Sequence, residues 1–268
     1  LASAFSVLFL YFIIVQLVTH WRGKIETNTD ALIAFGAGVV GSLTFSFTDS
    51  HWFNAVEAEV YAFSTFFTAI VVWLALLWSE KADKKGNERY ILIIAYMIGL
   101  ATGLHLLNLL TIPFVALIIY FKKFKFKWSS FAILVAITGL VFFIIHNVII
   151  KGMPKIADAI GVLATALLVI TIFASMVWAV LNQKQLLSIV LTSMVLVLIG
   201  YSTYAMIFIR SNQNPGIDEN DPETVEAFIS YLEREQYGDV GMFPRRFKGI
   251  KPIHEVVGYP EGPGRQFS

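Results

Sequence analysis

The sequence predicts an all-α, polytopic transmembrane helical bundle, and three observations carry that prediction. Hydrophobic residues fill 57% of the 268 positions and the mean hydropathy is +0.69, above the roughly 45–50% apolar usage of soluble domains. Charged residues amount to 15% and are bunched between long apolar runs, which suits a bilayer rather than a soluble core. Basic residues recur after every second apolar run, as they do when alternate connections stay in the cytoplasm. A net charge of +1 gives nucleic acid no electrostatic footing. The absence of cysteine excludes disulfides and thiolate metal sites.

Eight apolar segments stand out, at approximately 1–19, 31–48, 60–78, 90–107, 108–121, 129–150, 156–181 and 185–209, set against the roughly 20 residues a span requires. The stretch 90–121 is too long for one span, since at about 1.5 Å per residue it would reach roughly 48 Å, and it is short for two. Asn108 and Pro113 permit a turn, so a tight hairpin of two short helices is expected there, one that need not cross fully. The loops support the hairpin. Arg22 and Lys24 follow the first segment, Lys81, Lys84, Lys85 and Arg89 the third, Lys122, Lys123, Lys125 and Lys127 the fifth, and Lys184 the seventh. Fusing 90–121 into one helix would carry the lysine-rich loop to the wrong side.

On this count, residues 1–210 form the transmembrane domain and 211–268 an extracytoplasmic tail. A helix is expected near 222–236, with Asp221 as N-cap, Pro222 in the first turn and Glu223 favoured by the dipole. Val225, Phe228, Ile229 and Leu232 would form one apolar stripe, and Gly238 would close the helix. Residues 239–268, rich in Gly and Pro, are expected to be loop. The chain opens Leu1-Ala2-Ser3-Ala4 inside an apolar run, with no basic region and cleavage site of a signal peptide. It is expected to be an internal piece of a longer protein.

Candidate chemistry gathers on the outer side. The connection from Asp49 to Ala62 carries His51, Asn54, Glu57 and Glu59 among aromatics. A helix beginning near Asn54 would set Asn54 and Glu57 on one face and turn Glu59 about 200° away, so the two glutamates are not expected to form a dyad. Solvated acids at a helix N-terminus are the competing explanation. Thr102, His105 and Asn108, three apart, would make a polar strip facing a wet cavity or helix–helix hydrogen bonds. His146 and Asn147 sit at the outer end of the sixth segment, where an interfacial place would explain them. Arg210 closes the last span, suited to a phosphate or to snorkelling toward lipid headgroups. Asp218-Glu219-Asn220-Asp221 lacks the ligand spacing of a calcium loop, so helix capping is expected and no metal ligand is assigned. The Phe-rich Lys122–Lys127 loop is expected to be an interfacial anchor.

Three stretches, HWFNAVEAEVYA, GLHLLNLLTIP and IRSNQNPGIDENDPETVEAFISYLEREQYGD, resemble the bacterial membrane proteins of domain of unknown function 2723. That family is similar to the protein O-mannosyltransferases and is grouped with the GT-C glycosyltransferases. The resemblance implies a GT-C-like bundle in the bacterial inner membrane. Its activity would be transfer of a sugar from a polyprenyl-phosphate donor to an acceptor protein or glycan at the extracytoplasmic face. It implies that Glu57 and Glu59, with His51 and Asn54 in the same motif, orient acceptor or sugar. His105 and Asn108 match the family's polar fourth-segment motif, and Arg210 is placed to neutralise the lipid phosphate. The catalytic acid is expected upstream of Leu1, so no catalytic residue is assigned. Some GT-C enzymes use a divalent metal and others do not. The rival readings are a transporter or lipid-flipping protein, which would carry midplane charges and paired broken helices, and a non-catalytic scaffold.

Overall fold

Long apolar runs bounded by caps dictate the first helices. The computed structural model describes residues 1–57, 60–233 and 235. Helix α1 (Ala2–Arg22) stops at Gly23, whose φ of +103° is a conformation that favours glycine. Helix α2 (Asn28–Ser46) starts at a capping box: Asp30 N–H donates to Thr27 Oγ1 and Thr27 N–H donates to Asp30 Oδ2, both at 3.1 Å. There follow α3 (Asp49–Val56), α4 (Tyr61–Lys81), α5 (Glu88–Thr102), a 3-10 turn (Leu106–Leu110) and α6 (Thr111–Lys123). Next, α7 (Trp128–Phe143) runs on into a π-helical segment (Ile144–Ile150), then α8 (Gly152–Ile160) and α9 (Val162–Leu181). The chain continues through α10 (Gln185–Tyr201), a 3-10 turn (Ser202–Tyr204), α11 (Ala205–Ser211) and α12 (Val225–Glu233). No strand occurs among the described residues.

Seven helical segments among the described residues are long and apolar enough to cross a membrane. Helix α5 has 15 residues, roughly 22 Å, and is shorter than a hydrocarbon core of about 30 Å. It nevertheless runs antiparallel to α6, because Lys123 at the end of α6 donates to the Ala82 carbonyl at 2.8 Å and pairs with Asp83 at 3.0 Å, just ahead of α5. The other basic connections share this end. Gln185 donates to Glu88 at 3.0 Å, and α1 lies parallel to α4, since Phe9 meets Phe66 and Trp73 while Phe12 meets Trp73. The lysine- and arginine-bearing turns therefore form one basic end.

The core lies between α4, α5, α6, α10 and the π-helical segment, with Val71, Leu74, Trp78, Ile94, Ile98, Leu109 and Ile149 among its buried side chains. Its tightest contact is α5 on α10. A Cβ on Gly99 would stand 2.6 Å from the Val197 carbonyl, and one on Gly200 would stand 2.4 Å from the Leu100 nitrogen. Glycine is required for that approach, the small-residue packing common between membrane helices.

Three sequence expectations are corrected. The seventh segment does not begin at 156, because Gly161, at φ +87°, separates the short α8 from α9. The fourth helix ends at Thr102 rather than 107, with the chain leaving through Gly103 into the 3-10 turn. The tail helix begins at Val225: Thr224 caps it, accepting the Ala227 N–H at 3.1 Å. Asp221, with φ +45°, lies in the left-handed region and is not an N-cap. The expected stop at Gly238 and the loop 239–268 lie outside the described residues.

Candidate functional site

The end opposite the basic turns is built from α3, the start of α4, the turn after α5, the π-helical segment, α8, α11 and α12. Helix α3 is a short element of its own. Thr48 accepts the His51 N–H at 3.4 Å and starts it, while Glu57 turns to extended backbone, ψ 147°, and ends it. Asn54 is therefore in the middle of a helix and not at its start, and Glu57 does not share a helical face with it. Glu57 is exposed and its carboxylate has no partner among the described residues. Glu59 lies outside the described residues. His51 is 9% exposed with its ring 4.4 Å from Phe45, and this burial pushes its pKa below the ordinary 6.5.

The turn after α5 is where the structure converges. Thr102, His105 and Asn108 are not one strip on one helix. Thr102 is buried, donates to the Gly99 carbonyl at 2.7 Å and offers its own carbonyl to the Tyr204 hydroxyl at 2.8 Å. His105 caps the 3-10 turn, its Nδ1 accepting the Leu107 N–H at 3.2 Å, and its ring lies 5.5 Å from Tyr61. Asn108, 2% exposed, donates to Ser64 at 3.1 Å and to the His105 carbonyl at 3.0 Å, and accepts from Thr68 at 3.0 Å. Those bonds use both amide hydrogens and tie the 3-10 turn to α4. The residues that sequence reasoning missed, Tyr61, Ser64 and Thr68, carried a signal: they recur at helical spacing along α4.

Arg210 is exposed at the end of α11 and donates to Gln213 at 3.1 Å. No hydrogen bond or ion pair links it to Glu57, Asn54 or His51 among the described residues. Of the candidates, His105 is thus joined to the connection between α2 and α4 through Tyr61, while Arg210 stands apart. His146 stacks on Phe142, ring centroids 5.9 Å apart, inside the π-helical segment. That segment ends with the Lys151 N–H on the His146 carbonyl at 3.2 Å, and a Cβ on Gly152 would come within 2.9 Å of the Asn147 carbonyl.

Three acids of the tail gather just ahead of α12. Carboxylate oxygens of Asp218, Asp221 and Glu223 lie within 4.8 Å of one another, close enough to share a cation. Asp218 accepts from the buried Ser211 hydroxyl at 2.7 Å. Helix α12 is docked on α8 by Lys155 and Glu233 and on α11 by Phe228 against Phe208, ring centroids 6.1 Å apart. The Lys155 ammonium holds the Glu233 carboxyl below its ordinary range.

Two cavities complete the geometry. One of about 760 Å³ lies between α8 and α12, lined by Asp158, Thr224, Glu226, Ser230 and Glu235. The other, about 500 Å³ and almost wholly apolar, runs between α5, α6, α7, the π-helical segment and α10, bordered by Ile94, Ile98, Val115, Ile137, Ile145 and Val197.

An all-α bundle of membrane-crossing helices, with polar groups at one end and an apolar groove between helices, is the architecture of a polytopic membrane protein. Residues 1–129, just under half of the chain, match the family model for the protein O-mannosyl-transferase TMEM260 N-terminal domain. The likeness to protein O-mannosyltransferases expected from the motifs is therefore supported over α1 to α6. The matched region holds His51, Asn54, Glu57, Glu59, His105 and Asn108, but not Arg210. No curated protein and no solved structure matches the chain.

Proposed function

We propose that this protein is a GT-C-type membrane glycosyltransferase, of the kind resembled by domain of unknown function 2723. It would transfer a sugar from a polyprenyl-phosphate donor to an acceptor hydroxyl at the face opposite the basic turns. With basic turns cytoplasmic, that face is extracytoplasmic, and the bacterial inner membrane is the expected location. The observation that carries the reading is the O-mannosyltransferase family match over residues 1–129.

In this reading the acceptor hydroxyl attacks the anomeric carbon and the lipid phosphate leaves. Glu57 and Glu59 accept hydrogen bonds from acceptor or sugar, with His51 and Asn54 shaping the helix that leads to them. His105, set against Tyr61, would hydrogen-bond the sugar. Asn108 supports His105 through its carbonyl rather than touching substrate. Arg210, exposed and charged, meets the phosphate. The apolar groove of about 500 Å³ suits the donor's hydrocarbon chain. No residue of this chain is assigned as general base. The carboxylates of Asp218, Asp221 and Glu223 are the group that would hold a divalent metal, if one is used.

The test measures transfer from a polyprenyl-phosphate mannose donor by membranes carrying full-length protein. Glu59→Gln and Arg210→Ala are each expected to lower transfer at least tenfold, about 1.4 kcal/mol of transition-state stabilisation, with normal membrane insertion. Undiminished transfer in both would remove these residues from the site. Absence of transfer by the unaltered protein would sink the reading.

A further inference from the structure

We propose that the basic end carries a binding surface for anionic phospholipid headgroups, centred on the connection between α6 and α7. This connection holds Lys122, Lys123, Lys125 and Lys127 with no acid, interleaved with Phe124, Phe126 and Trp128. Its shape is set by the protein. Phe124 and Lys127, at its two ends, are extended, with φ/ψ of −129°/146° and −143°/137°. The buried Tyr120 hydroxyl pins the segment, accepting the Lys127 N–H at 3.2 Å and lying 2.6 Å from Ser130 Oγ.

The neighbouring connection divides the charges. Asp83 takes both Lys122, at 3.7 Å, and Lys123, at 3.0 Å. Lys125 and Lys127, and Lys84 and Lys85 beside Asp83, are exposed and have no ion-pair partner among the described residues. Exposed Phe124, Phe126 and Trp128, 62%, 48% and 77% accessible, mark the level of the membrane interface. Four unneutralised ammonium groups held at headgroup height, with aromatic anchors between them, favour a phosphate-bearing lipid surface over an acidic protein.

The experiment titrates the purified full chain in neutral detergent with phosphatidylglycerol and with phosphatidylcholine of the same acyl chains, reading bound lipid by native mass spectrometry. The protein is expected to hold phosphatidylglycerol about fivefold more tightly for each lysine engaged, and raised salt should erase that preference. Lys125→Gln with Lys127→Gln should bring the ratio close to one, while Lys155→Gln at the opposite end leaves it unchanged. Removing positive charge can disturb insertion, so Tyr120→Phe serves as a second variant that keeps every charge and releases the segment. It should at least halve the preference. Equal affinity for the two lipids in the unaltered protein, as expected if the lysines receive an acidic protein instead, overturns the proposal. So does a preference that survives both variants.

Discussion

Helices α5 and α7 are of nearly equal length, 15 and 16 residues, and both are strongly apolar, yet the protein uses them differently. Helix α5 buries Tyr90, Ile94, Ile98, Gly99, Ala101 and Thr102. No residue of α7 is fully buried, and a Cβ on its Gly139 would meet no atom within 4 Å. Apolarity cannot distinguish the two, because lipid tails satisfy an isoleucine as well as a neighbouring helix does. Both carry small and hydrogen-bonding residues; what differs is that Gly99 of α5 lies against the backbone of α10, an approach lipid cannot supply, whereas Gly139 of α7 faces open space. Helix α5 meets α10 through Gly99 and Gly200, whereas α7 touches α6 through Ser130 and Phe131 on Tyr120 and forms one wall of the apolar groove.

The sharpest way to break this contrast is to add the same side chain to both helices. Gly99→Leu should force α5 and α10 apart and destabilise the protein by about 3 kcal/mol or more, at the top of the usual overpacking range. Gly139→Leu should change stability by less than about 0.5 kcal/mol, because its side chain enters open space. Thermal unfolding in detergent, followed by loss of the monodisperse gel-filtration peak, would compare them. Equal effects would show that the Gly139 face of α7 is packed against something and that the division is wrong.

Polar contacts give the next largest effect. Asn108→Leu removes bonds to Ser64, Thr68 and the His105 carbonyl and should cost about 1–2 kcal/mol, given the modest worth of each such bond in membranes. Ser175→Ala in α9 removes a bond to its own helix, at the Thr171 carbonyl, and should be nearly neutral by the same thermal assay. A smaller loss, about 0.6 kcal/mol, is expected for Tyr201→Phe, whose hydroxyl donates to the Ile150 carbonyl at 2.9 Å.

These contacts also explain what was legible in the sequence. The all-α membrane class followed from apolar runs, and the grouping of basic turns followed from charge, since both depend on local composition. The oppositely directed pair α5 and α6 could be argued from loop lysines alone. The breaks could not. Gly161, the π-helical segment Ile144–Ile150 and the early end of α5 at Thr102 depend on backbone conformation at single residues and on which helix lies alongside. Asn108 drew notice because a polar group at depth signals function or packing equally well, and its partners Ser64 and Thr68 on α4 could not be read from its own segment. Asp221 resembled an N-cap by type and spacing, but the positive φ at Asn220 and Asp221 carries the chain past it to Thr224.

The smallest expected effect concerns the tail, where α12 rests on α8 through a contact unlike either membrane interface. The Lys155–Glu233 pair is half exposed on the lysine side, with accessibilities of 50% and 28%, so it should contribute under about 1 kcal/mol. Its sign with pH is nonetheless fixed. Glu233 titrates below its ordinary 4.5 when docked because Lys155 donates to the ionised carboxylate, so the undocked form binds protons first. Docking is therefore fully supported above pH 4.5 and weakens as pH falls through the lowered value. Hydrogen exchange of α12 amides should show opening rising a fewfold between pH 6 and pH 4, after correction for intrinsic rates, while α5 amides stay protected. Glu233→Gln should open α12 at pH 6 and flatten the dependence. If the variant kept the full pH response, the response would belong to other groups, with His51, whose pKa burial on α3 lowers, the first to examine by the same measurement.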